Sequence, residues 1–125
     1  MKSVGDQDPE FLDVVFERMS DKDSSVRYAA VECLAKIGNE RHTAPVVVLL
    51  LDAHAEVRNA AAKTLAAIGG KSDVVVFDML LKNAEVYHHK GGQRILVDFD
   101  VEHFTKYKAE LEARLKKQDE AKEKK

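Results

Sequence analysis

Five histidines, one cysteine and a short glycine-lysine-serine run are the residues of this 125-residue chain whose types could do chemistry. His42, His54, His88, His89 and His103 raise the question of a metal. Helical ligand sets need two donors on one face, as in H-E-x-x-H. His88 and His89 are adjacent and diverge on a helix, and only a stray carboxylate such as Glu85 stands one turn from His89. The pattern reads as surface histidines. Cys33 precedes Leu34 on an apolar stripe, where a thiol packs as a small filler. Gly69-Gly70-Lys71-Ser72 resembles the end of a phosphate loop but lacks the upstream glycine and follows a helical pattern instead of a strand. No catalytic, cofactor-binding or metal-ligating residue is assigned, and no cofactor is expected.

Composition leans helical. Apolar residues make up 45% and charged residues 34%, with two prolines and 6% aromatics, which suits a helical domain better than a β-sandwich. The lone cysteine permits no intrachain disulfide, so a reducing, intracellular and cytoplasmic location is expected. The first eight residues lack a secretory pattern, and the longest apolar run, residues 45–51, is too short for a bilayer; a soluble protein is expected. Residues 106–125 hold eight basic and five acidic side chains, which leaves the first 105 residues with 12 basic against 17 acidic, a net of −5. That acidic body disfavours a phosphate backbone as partner.

The elements that carry these residues repeat. Val26 to Gly38 reads VRYAAVECLAKIG and Val57 to Gly69 reads VRNAAAKTLAAIG, identical at eight of thirteen positions at an offset of 31. Val26, Ala29, Ala30, Leu34 and Ile37, matched by Val57, Ala60, Ala61, Leu65 and Ile68, recur in steps of three and four, as on one helical stripe. The alanines allow a neighbouring backbone close, and Gly38 and Gly69 are expected to end each helix in the left-handed conformation. Upstream of each copy lies another apolar segment, Phe11–Met19 and Pro45–Leu51, joined by polar turns at residues 21–25 and 52–56. Asp8-Pro9 and Thr43 with Pro45 look like helix starts. Val46–Leu51 alone could be a strand, but the repeat register makes it a helix.

The pattern V-R-x-A-A-x-x-x-L-x-x-I-G, with Asp21 or Asp52 five residues ahead of the valine and the link Gly38-Asn39-Glu40-Arg41 before Pro45, resembles the short HEAT-like repeat of the phycobilisome-lyase type. The resemblance covers residues 21–69. It implies an all-α, short α-solenoid of helix-turn-helix units, with Arg27 and Arg58 in structural roles, bridging to turn aspartates of neighbouring repeats. It also implies a rival function, since some HEAT-like proteins handle a metal or a chromophore. The deoxyhypusine hydroxylases bind iron through His-Glu dipeptides, and no histidine here precedes a glutamate; Glu102-His103 has the reverse order. The lyases handle a chromophore within longer arrays, and only the repeat itself speaks for that here.

A third copy is degenerate. Val74–Leu81, capped by Ser72, supplies a first helix, and residues 86–97 stand where the second belongs, with Gly91-Gly92 either breaking it or packing closely. From Asp100 a last helix carries Phe104, Tyr107, Leu111 and Leu115 on a narrow seam, as a lid over the last repeat or as a partner-binding helix. The expected organisation is thus about two and a half repeats over residues 1–99, a C-terminal helix over 100–116 and a charged, disordered tail over 117–125.

With no chemistry in view, surface carries the function. Two surfaces stand out. Opposite the core stripe of the second helices lie Tyr28, Val31, Glu32 and Ala35, then Asn59, Ala62, Lys63 and Ala66, expected to line a concave face. On the first helices the outward positions are Glu17 and Ser20, then Val48 and Leu51, then Asp78 and Leu81, which puts an apolar middle between polar neighbours. Val48 and Leu51, with Tyr28, Glu32, Asn59 and Lys63, are the candidate partner-binding residues. The expected role is a protein-protein scaffold or accessory subunit of a larger complex, with protein partners and neither membrane nor small-molecule substrate.

Overall fold

The computed structural model describes residues 9–89 and 98–123. Among the described residues six α-helices follow one another: α1 (Pro9–Arg18), α2 (Ser24–Ile37), α3 (Ala44–Leu49), α4 (Ala55–Ile68), α5 (Lys71–His89) and α6 (Asp98–Glu123), with one 3₁₀ turn at Glu40–His42. They pair as α1/α2, α3/α4 and α5/α6, and the pairs join through their second helices, α2 on α4 and α4 on α6. This is the all-α solenoid that the repeat implies. No helix among the described residues is long and apolar enough to cross a membrane.

Local sequence explains the boundaries. The Asp23 carboxylate accepts the amide of Ser25 at 2.9 Å, satisfying a free donor at the start of α2. Val46–Leu49 is helical because its apolar residues answer to helical spacing: Val46, Leu49 and Leu50 are buried together while Val48 faces out, which strand alternation would not give. Gly38 and Gly69 end α2 and α4, but in extended backbone (φ −89° and −71°), not the left-handed turn expected. They are glycines because of crowding. A Cβ on Gly38 would lie 2.8 Å from the Leu34 carbonyl and 3.1 Å from Ile68 Cδ1, and one on Gly69 would collide with the Leu65 carbonyl.

The third unit differs from the sequence reading. Val86–His89 continue α5 instead of opening a second helix, and Gly91-Gly92 lie outside the described residues. Ser72 sits exposed within the first turn of α5, whose cap is made by Asp73, which accepts the Gly70 amide at 2.8 Å. The second helix of the pair is α6. It lies on α4 as α4 lies on α2, burying Phe104, Tyr107 and Leu111, and Phe77 of α5 meets Phe104 edge-on with ring centres 5.7 Å apart. Larger side chains do in α6 what alanines do in α4. Arg114 of α6 donates to the carbonyls of Ala66 (2.9 Å) and Gly69 (2.6 Å), satisfying the end of α4 with a cation. Beyond Leu115 the helix runs on to Glu123, with the side chains of residues 116–122 exposed, where a disordered tail from 117 was expected. Lys, Gln, Glu and Ala are good helix formers, and Lys71 pairs with Asp119.

Candidate interaction surfaces

Two arginines, one per repeat copy, stitch the three pairs together. Arg27 of α2 donates from Nε to Asp52 Oδ1 at 2.8 Å and from Nη2 to Oδ2 at 3.1 Å, and from Nη1 to the Asp21 carbonyl at 2.8 Å. Arg58 of α4 repeats the arrangement one unit on, with Nε to both oxygens of Asp100 (3.1 and 3.0 Å) and Nη1 to the Asp52 carbonyl at 2.8 Å. The planar guanidinium suits this forked geometry. The bridging role that the resemblance implied for Arg27 and Arg58 is therefore seen, and the sequence reading missed Asp100 as the second acceptor because it lies in a helix and outside the 31-residue spacing. Burial alone would raise the Asp52 carboxyl, but the hydrogen bond and charge of Arg27 and the His54 amide outweigh it and hold the carboxyl below its ordinary value; the Asp52 bond in turn raises Arg27.

The residues with chemical potential are otherwise engaged. His42 Nδ1 accepts the Asn39 amide at 3.1 Å and its ring stands 6.0 Å from that of Phe16, while His54 lies beside Arg27 and Asp52. The side chains of His88 and His89 lie outside the described ones. Among the described residues no three His, Cys, Asp or Glu side chains cluster as metal ligands. At the Gly69-Gly70-Lys71-Ser72 run the Gly70 amide is bonded by the Asp73 carboxylate, which takes the position an anion would need. A polar cleft at the carbonyl end of α4 mixes Glu40 and Asp119 with Lys71 and Lys122, while Arg114 is committed to main-chain carbonyls.

The six candidate contact residues divide. Val48 (72% exposed) and Leu51 (51%) stand open on the side of the first helices, and α6 does not reach them, since it packs on α4 and α5. Tyr28 (40%) and Lys63 are exposed, and Glu32 and Asn59 are half-buried, with Asn59 Oδ1 lacking a hydrogen-bond partner. The surface expected to join these four as a concave lining is closed: Val31 and Ala62 are fully buried and Ala66 nearly so. The reason is that α4 is packed between α2 and α6, and its alanines bring α6 close. On α5, Leu81 is half-buried instead of outward, and Asp78 is exposed and bonded to Lys108. Val75 and Met79, one turn apart on α5, are exposed large apolar residues that the sequence reading missed. Carrying the 31-residue offset on from Val48 gives Met79 instead of Asp78, and helical spacing puts Val75 one turn before it, opposite Phe77.

Successive helix pairs, joined through their second helices by a repeated arginine-aspartate bond, define a short α-solenoid. The chain belongs to the HEAT-repeat family: the family model for HEAT repeats matches residues 12–87. Repeats of this family commonly act as protein-interaction scaffolds and are generally not enzymes. Neither a search of curated proteins nor one of solved structures gave a match. The matched span leaves out α6.

Proposed function

We propose that this protein is a non-catalytic interaction scaffold, an accessory subunit held within a larger assembly of protein partners. The observation that carries the reading is the set of large apolar side chains left open on the first helices, Val48 and Leu51 on the α3 side and Val75 and Met79 on α5. Isolated apolar residues on a surface need no explanation, but pairs one helical turn apart offer the kind of anchor that interfaces use. The rim residues Tyr28, Glu32, Asn59 and Lys63 form the second candidate contact.

The test changes Val48 and Leu51 together to lysine. Both are exposed, so the helical spectrum and Tm are expected to stay as they are, while partner recovery, read by affinity capture and mass spectrometry, falls at least about tenfold, since two such anchors contribute a few kcal/mol. Unchanged recovery would move the contact to the rim residues. Stoichiometric iron or a bound pigment in the purified protein would overturn the scaffold reading itself.

A further inference from the structure

The two ends of the stack are built differently. At the end formed by α6, the outward helix face carries Glu102, Lys106, Ala109, Ala113 and Lys117, all exposed, on a single face opposite Phe104 and Leu111. A polar outer face is how a solenoid stops. At the end formed by α1 and α2, a shallow, mostly apolar groove is lined by Val14, Val15, Val26, Ala29 and Ala30, with Arg18 and Ser25 at its polar edge. Thirty-one residues on, the corresponding positions are Pro45, Val46, Val57, Ala60 and Ala61; Val15 and Ala30 are buried as their counterparts are, whereas Val26 is half-buried and Ala29 exposed where Val57 and Ala60 are buried. Arg18 and Ala29 are exposed where Leu49 and Ala60 are buried, and Val26, Cys33 and Ile37 are half-buried where Val57, Thr64 and Ile68 are covered. Two of these positions are seen to touch the preceding unit: Thr64 donates to the Val31 carbonyl at 3.3 Å, and Ile68 Cδ1 lies against Gly38.

The charge ladder points the same way. Asp52 and Asp100 each receive a guanidinium from the unit before. Asp21 holds the corresponding place in the first unit and is set up as Asp52 is: its carboxylate accepts the amide two residues on (Asp23, 2.9 Å), as the Asp52 carboxylate accepts that of His54 (3.0 Å). Among the described residues no cation forms an ion pair with the Asp21 carboxylate; Arg27 bonds the Asp21 carbonyl instead.

We propose that the α1/α2 end is a docking surface for a helix pair of the same HEAT construction, supplied by another protein, whose second helix lays an apolar stripe on Val26, Ala29, Cys33 and Ile37 and brings an arginine to Asp21. A second copy of this chain does not fit. The face of α2 that would serve as donor is already covered by α4, and the open end of α6 is polar. The inference deepens the scaffold reading and rests on it, but it uses a different surface. Loss of a partner with Ala29→Glu and not with the Val48/Leu51 change would support this surface; loss with the Val48/Leu51 change alone would overturn it and leave the scaffold reading intact.

The direct test inserts a second copy of residues 9–39, one full repeat period, ahead of Pro9 in the whole chain, with Cys33→Ser in the added copy. The added Arg27 then stands where the partner's arginine is proposed. The expected result is a cooperative unfolding transition with Tm raised by about 5 °C or more and resident Cys33 reacting with a thiol reagent at least about tenfold more slowly. Asp21→Asn in the resident copy should remove part of the rise while leaving the parent's Tm unchanged. An added repeat that neither folds nor protects Cys33 overturns the proposal. In the parent chain, Ala29→Glu is expected to leave Tm unchanged and the protein monomeric by sedimentation. A lowered Tm would mean that the chain itself already covers the groove, and a dimer lost in the variant would mean that a second copy does; either result also overturns it.

Discussion

Arg58 and Asp100 form the more buried of the two ladder steps, with side-chain exposures of 14% and 1%. A three-centre bond from one N–H to both oxygens of a buried carboxylate adds little over an apolar pair, because desolvation of both groups offsets the attraction, but removing the guanidinium takes a counter-charge from a buried anion. Arg58→Met is therefore expected to cost about 3–5 kcal/mol, a large part of the roughly 5–15 kcal/mol that holds a domain together. Asp100→Leu placed in the same chain should recover part of that loss. Denaturant midpoints of the two variants check this, and equal midpoints would show that Asp100 gains nothing from Arg58. The arginines recur 31 residues apart within the repeated valine and alanine pattern, and their bridging role was legible through the family resemblance that this pattern carries. Their acceptors were legible only in part: Asp52 lies in a repeat turn, whereas Asp100 lies in the first turn of a helix that follows no repeat spacing.

At the scale of elements, α6 is what completes the third pair, so its apolar seam matters more than its length. Phe104 is fully buried against Phe77, and Phe104→Ala is expected to cost about 3–5 kcal/mol through lost transfer energy and the cavity left behind. Removal of residues 117–125, by contrast, takes away a stretch whose side chains are exposed over 117–122 and should leave Tm within a degree or two. Thermal melts of both variants test the contrast; a truncation as damaging as Phe104→Ala would place stabilising contacts in the last turns. The element pattern also shows where sequence reasoning stopped. The first two pairs follow from apolar spacing and from the repeated segment itself, and the structure has them as expected. The third did not, because α6 begins 43 residues after α4 instead of 31 and packs through Phe, Tyr and Leu where the earlier copies use Ala. For the same reason the outer side of α4 looked like open surface: a run of alanines is compatible both with solvent and with close helix packing, and only the position of α6 decides between them.

For the whole molecule, the ladder bonds are the only side-chain ion pairs described that join one helix pair to the next and lie largely out of solvent. Three small units with a shared core depend on such joints, since each pair buries its apolar side only against its neighbour. The joint at Asp52 ties stability to pH. Its carboxyl is held below the ordinary value of 3.8, so the folded chain binds that proton less readily than the unfolded chain. The contribution is accordingly complete above the unfolded value and is lost as pH falls through the lower, folded one. Tm should thus stay level from neutral pH down to about 4 and fall below it, where carboxylates gain protons. Asp52→Asn separates this joint from general acid unfolding, because the variant lacks the titrating group but keeps a side chain of the same shape. Its Tm is expected to lie below the parent's at pH 7, where Arg27 has lost its counter-charge, and the gap between the two should close as pH drops below about 4. A gap that stays constant across that range would mean that the loss comes from the amide's poorer hydrogen bonding to the Arg27 donors and not from the charge of Asp52.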